Sequence, residues 1–204
     1  MKLAYSIPLL LALSGQAHAE VFVAPFGGYS FGGNDLDYRS SESTVNNNSS
    51  ADITEAGHFG FMLGLTTSEP GDMYLLYSHQ GTELSGSGFP GTDKLMDLSV
   101  DYLHLGGTLY FPKDKLRPYV TASAGLTQLR PELGSNETRF SMGLGLGLDY
   151  QLLEQLSLFA DVRGYATLIN SDSSLFCDAN QCLWHIKGDT LWQGQANLGL
   201  RYRF

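Results

Sequence analysis

After residue 19 the sequence holds no apolar run long enough to cross a membrane as a helix, which takes about 20 predominantly apolar residues. Charge is sparse as well: Asp, Glu, Lys and Arg make up 16% of the chain, where water-soluble domains run near a quarter. The 12 basic residues form no cluster and face 21 acidic ones. That excludes nucleic acid as a partner, because phosphates need a basic footprint. No repeat of solenoid type appears. The glycine run Gly143-Leu144-Gly145-Leu146-Gly147 lacks the strand–turn–helix setting of a dinucleotide fingerprint and reads instead as small residues beneath crowded neighbours.

The N-terminus reads as an address. Lys2 is followed by the apolar stretch Leu3 to Leu13, broken by Tyr5, Ser6 and Pro8, and then by Ala17-His18-Ala19. This is the charged, apolar and small–x–small pattern of a secretory signal peptide. Cleavage after Ala19 is expected, leaving residues 20–204 as one domain and taking the net charge from −9 to −10 with the loss of Lys2.

What is abundant points to strands. The chain carries 24 Gly, 11 Tyr and 11 Phe, and its mean hydropathy of −0.10 is no obstacle. Barrel strands hide their apolar half by alternation. From Phe140, one face reads Phe140, Met142, Leu144, Leu146, Leu148, Tyr150, and the other Ser141, Gly143, Gly145, Gly147, Asp149. The last strand sets Trp192, Gly194, Ala196, Leu198, Leu200, Tyr202 and Phe204 against Gln193, Gln195, Asn197, Gly199, Arg201 and Arg203. Before it, Leu156, Leu158, Ala160 and Val162 alternate with Ser157, Phe159, Asp161 and Arg163. Period two with aromatics at the ends describes a lipid-facing band between aromatic girdles.

Five weaker segments, about 21–31, 58–67, 73–80, 95–111 and 119–129, bring the count to eight. Leu103, His104 and Leu105 break the phase of the fourth of these, and a bulge near Gly106-Gly107 would explain the break. Long connections at roughly 32–57, 81–94, 130–138 and 170–190 alternate with short ones near Glu69-Pro70-Gly71, Pro112 to Pro118 and Leu153 to Gln155. Both termini therefore share an end with the short turns, as in a bacterial barrel whose turns are periplasmic and whose loops are extracellular. The fold class is an all-β, closed, antiparallel up-and-down transmembrane barrel of about eight strands, since only helices and closed barrels satisfy the backbone in lipid.

The signal peptide, the alternating strands and the ending Leu200-Arg201-Tyr202-Arg203-Phe204 resemble the small outer-membrane β-barrel superfamily of Gram-negative bacteria, the OmpA/OmpX-like group. The resemblance implies export through the periplasm to the outer membrane, as a monomer among lipid and lipopolysaccharide. It also implies that Leu198, Leu200, Tyr202 and Phe204 form the signal read by the barrel-assembly machinery. On activity it says little, because the superfamily includes adhesins, stability proteins, small channels and lipid-modifying enzymes.

The candidate sites follow from alternation and compartment. Cys177 and Cys182, the two cysteines, lie in the last long connection. An exported chain meets an oxidising compartment, so a disulfide is expected; a metal site with Asp178 and His185 would use a spacing no zinc framework shows. Asp149, Asp161, Arg163, Arg201 and Arg203 are expected in the lumen as a charge network, in a barrel just wide enough for side chains to fill. Ser78-His79 with Glu83 superficially resembles the catalytic residues of lipid A deacylases. Their His-x-Ser order is absent, and adjacent strand residues point to opposite faces. No catalytic residue, cofactor or metal is expected. The leading reading is a non-enzymatic barrel with a filled lumen whose loops serve envelope integrity or surface contact with an external partner not specified by the sequence. A narrow channel for small solutes or ions is the first alternative, and a lipid-modifying enzyme the second.

Overall fold

A computed structural model describes residues 20–32, 36–39, 49–67, 70–86, 94–111, 113–132, 136–169, 174–178, 181–186 and 190–204. The expected signal peptide lies outside the described residues. Period-two segments become strands β1 (Val21–Gly32), β2 (Leu36–Arg39), β3 (Ser49–Ile53), β4 (Ala56–Thr66), β5 (Gly71–Gly86) and β6 (Lys94–Tyr110). They continue as β7 (Leu116–Pro131), β8 (Glu137–Gln151), β9 (Leu156–Leu168), β10 (Ser174–Asp178), β11 (Gln181–Ile186) and β12 (Thr190–Arg203).

Eight of these close a ring. β1 pairs antiparallel with β4 on one side and β12 on the other. The ladders β4–β5, β5–β6, β6–β7, β7–β8, β8–β9 and β9–β12 complete it. Closure leaves no edge in the lipid layer, where an unpaired N–H or C=O is costly. The β1–β12 ladder lapses at Ala24 and Pro25, since proline has no N–H to give. At the turn end the seam is tied by Phe204 N–H donating to Val21 O at 2.9 Å and Thr66 N–H to Glu20 O at 2.8 Å.

The expected faces hold. Leu144 is 71% and Leu146 67% exposed on the outside, whereas Asp149 and Arg201 on the inside are 0% and 1%. The glycines of β8 are spacers beneath large lumen side chains. A Cβ on Gly147 would run into the Tyr119 ring, and one on Gly145 into Arg163. Among the described residues no helix is long and apolar enough to cross a membrane.

Two expectations need correcting. No bulge occurs at Gly106-Gly107, because the β5–β6 register runs without slip from Gly71↔Leu109 to Leu84↔Met96 and shifts only at Leu84/Ser85. Tyr102 and His104 face inward while Leu103 and Leu105 face outward, so the alternation is intact. It was obscured because aromatics sit on its polar side. The connections 32–57 and 170–190 are also not mere loops, for they contain β2, β3, β10 and β11. β3 pairs with the upper part of β5, β2 with β3, β11 with β2, and β10 with β11. This repeats the order β4, β1, β12, β9 of the barrel below, so each of those staves resumes after a short break. Among the described residues β10 pairs on one edge only, and Lys94 to Met96 of β6 pair only with β5, while Asp97 O accepts from Glu132 N–H at 3.0 Å.

Candidate functional site

The inward faces of the eight staves meet in a lumen filled by side chains. All five residues expected there are buried, together with Phe22, Tyr74, Tyr102, Tyr119, Phe159 and Tyr165. The charges do not form one network. They split into two levels.

Near the turn end, Asp149 of β8 is the hub. It accepts from Arg117 Nη2 at 2.5 Å, from Arg201 Nη1 at 3.1 Å and from Ser157 Oγ at 2.9 Å. Arg201 also reaches Asp72 at 3.4 Å, and Asp72 accepts from the Tyr110 hydroxyl at 2.6 Å. The Arg201 guanidinium lies over the Phe22 ring, 4.8 Å from its centroid. A buried charge survives in such a place only when paired and hydrogen-bonded. Arg203, one of the five expected residues, is buried here with no ion pair among the described residues, and its Nε has no hydrogen-bond partner.

At mid-height Arg163 and Asp161, two residues apart on β9, pair at 2.8 Å. Tyr119 donates to Asp161 Oδ2 at 2.8 Å and Asn197 Nδ2 to Oδ1 at 2.7 Å. The chain runs on through His58, whose Nε2 lies 2.6 Å from Asn197 Oδ1, to Ser30 Oγ, 2.8 Å from His58 Nδ1. Because Asn197 presents its carbonyl oxygen, His58 carries its proton on Nε2, and Ser30 donates to Nδ1. The order serine, histidine, amide, carboxylate invites comparison with a triad, but every member is buried in the lumen. Above it, His104 bridges Ser123 at 3.0 Å and Ser141 at 2.7 Å, and Thr127 donates to Ser141 at 2.7 Å. These contacts tie buried polar groups together across the lumen, while the buried Gln195 amide has no hydrogen-bond partner among the described residues.

Alternation could find the lumen residues of β8, β9 and β12. It missed Asp72 and Arg117, which lie in segments with weak patterning just beside turns. It also missed a cluster on the outside. Asp101 points outward yet is buried, because Tyr77 donates to it at 2.7 Å, His79 Nδ1 sits 2.8 Å away and Arg130 pairs with it. Ser78 is wholly buried on the opposite face from His79. The cluster marks a border. The row Phe61, Tyr77, Leu103, Leu126, Phe140, paired strand to strand, is apolar, and the next row towards the loops is Phe59, His79, Asp101, Gln128, Thr138.

Leu198, Leu200, Tyr202 and Phe204 all face outward, with the Tyr202 and Phe204 rings edge to face at 5.0 Å. The backbones of Cys177 and Cys182 are direct partners across β10–β11. Their side chains lie outside the described residues.

Comparison with known proteins agrees with this architecture. The family model described as "Outer membrane protein beta-barrel domain" matches residues 6–204. A search of curated protein sequences finds no match. Among solved structures, the Neisserial surface protein A (NspA) is similar at 14% identity with a TM-score of 0.60, covering 90% of this chain and 97% of that one. OprG from Pseudomonas aeruginosa is similar at 15% identity with a TM-score of 0.61, covering 91% and 96%. AlkL, solved in lipid bilayers, shares 15% identity with a TM-score of 0.57, covering 100% and 97%. At such identities the likeness concerns the fold. The chain belongs to the outer membrane protein β-barrel family, which locates it in the bacterial outer membrane.

Proposed function

We propose that this member of the outer-membrane barrel family is a non-enzymatic surface protein. Its barrel is an anchor, and its working part is the sheet raised above the membrane. The observation that carries this reading is the contrast between a lumen occupied by buried, hydrogen-bonded side chains and a wall that continues upward through β3, β2, β11 and β10 to an edge with no partner strand among the described residues. An unpaired strand edge is a template for main-chain pairing with an extended segment of another protein. The lipopolysaccharide layer is the proposed neighbour of the His79, Asp101 and Arg130 cluster, which stands just above the apolar row of Tyr77 and Phe140. Export by cleavage after Ala19 is part of the same reading.

The test trims the protruding hairpin. A chain with residues 171–188 replaced by a short Gly-Ser turn is expected to assemble normally, keeping its heat-dependent gel shift, while losing surface adherence or resistance of the envelope to bile salts. Unchanged behaviour on both counts would sink the proposal. The channel reading predicts steady single-channel openings from the refolded, untrimmed barrel, whereas the filled bore predicts a silent bilayer.

A further inference from the structure

At the turn end the lumen opens into a cavity of about 270 Å³ lined by Thr66, Asp72, Tyr110, Arg117, Gln151 and Arg203, with Asp114 at its rim. Three arginines, Arg117, Arg201 and Arg203, converge there on two lumen carboxylates, Asp72 and Asp149. Those carboxylates are already engaged. Asp149 holds Arg117, Arg201 and Ser157, and Asp72 holds Tyr110 and Arg201. Arg203 has no ion pair among the described residues; it is 92% removed from solvent, and its Nε is buried without a hydrogen-bond partner there.

We infer that this cavity is a binding site for a small oxyanion, a phosphate or a carboxylate group, entering from the periplasmic side and held by Arg203 with help from Arg117. A guanidinium presents a rigid fork of donors that matches the paired oxygens of such groups. Among the described residues Arg203 has no ion pair, and Asp149, Asp72 and Glu20 act on it only at longer range; this explains the ligand's sign, since a buried cation without a close partner is costly and an entering anion lowers that cost. The size explains the ligand's class, because the volume lies below the usual range for drug-sized molecules. The polar groups of Thr66 and Gln151 on the walls supply further contacts for the remaining oxygens. Asp114, an exposed residue at the turn with φ of 54°, opposes an anion weakly across solvent.

The experiment titrates the refolded full barrel, in a neutral detergent, with inorganic phosphate and separately with N-acetyl-alanine, following the side-chain Nε–H signal of Arg203 by NMR. Sodium chloride at matched ionic strength is the control. Saturable movement of that signal with either probe supports the site. Phosphate alone identifies a free oxyanion, and equal binding of N-acetyl-alanine identifies a carboxylate borne on a larger periplasmic molecule. Arg203→Gln is expected to weaken binding about tenfold or more, Arg203→Lys to retain part of it, and Asp114→Asn to tighten it. The heat-dependent gel shift confirms that each variant folds, and Arg130→Gln, at the other end of the barrel, should bind as the parent does. An Arg203 signal that moves equally with chloride, or binding that survives in Arg203→Gln, would overturn the inference.

Discussion

Arg201 of β12 places Nη1 3.1 Å from Asp149 Oδ2 of β8, although β9 lies between their strands. The guanidinium spans the inner face of β9, where Ser157 joins the same carboxylate. Both charges are almost wholly buried. The anchoring of the barrel's turn end therefore depends on a contact between side chains that are not in paired strands.

Asp149→Asn leaves Arg117 and Arg201 facing a neutral group in a buried site. Breaking one side of a buried pair costs about 3–5 kcal/mol. The expected result is a lower urea midpoint for the folded barrel with an unchanged slope, read by tryptophan fluorescence. A midpoint equal to the parent's would show that Asp72 alone supports both arginines.

Arg163 reaches across the lumen to Asp161, Tyr74 and Met62. The double change Arg163→Ala and Asp161→Ala removes the pair without stranding either charge. Planar-bilayer recording should find the parent silent and the double variant conducting. Silence in both would mean that the upper belt of Tyr102, Tyr165 and Gln193 closes the bore by itself.

Gly147 and Gly164 offer a contrast on adjacent strands. A Cβ at Gly147 would strike Tyr119 and Asp161, whereas Gly164 faces open space on the lipid side. Gly147→Val should destabilise by about 1–3 kcal/mol, the cost of overpacking, and Gly164→Val should be tolerated. The temperature at which the gel shift is lost distinguishes them; equal losses would argue against the packing account.

Phe204 is 70% exposed at the outer rim, so Phe204→Ala removes little packing, whereas the ring of Phe31 covers Gly194. Assembly is nevertheless expected to suffer far more from Phe204→Ala, because the resemblance makes the terminal aromatic a recognition signal. Outer-membrane abundance of the two variants checks this. Equal levels would remove Phe204 from that role.

Cys177 and Cys182 face each other in register across β10–β11, a placement that suits a cross-strand disulfide in an oxidising compartment. Mass spectrometry of an unreduced digest should recover the two peptides joined. Recovery as separate free thiols would refute the bond.

The strands of β8, β9 and β12 were legible because their outward residues are almost all apolar or glycine and their inward ones, Phe159 and Leu191 apart, carry glycine or polar atoms. β5 and β6 were harder for a physical reason. Inward Tyr74, Leu76, Tyr102 and Tyr110 fill the lumen with apolar bulk, while outward His79 and Asp101 are polar, so neither face has a single character. The four short strands left no signal, since β2, β3, β10 and β11 are only 4, 5, 5 and 6 residues long. Strands so short show too few alternations to be told from a loop.

The sequence by itself determined which residues meet lipid and which meet the lumen, because alternation is a local property of the extended chain. It also determined that the turns and termini share one end, through the lengths of the connections. Tertiary structure alone decided which lumen charges meet. Asp149 joins Arg117 and Arg201, and Arg203 has no ion pair among the described residues. Those partnerships depend on register and closure, which bring residues 32 and 52 positions apart in the chain within hydrogen-bond reach. No local pattern in the sequence encodes that distance.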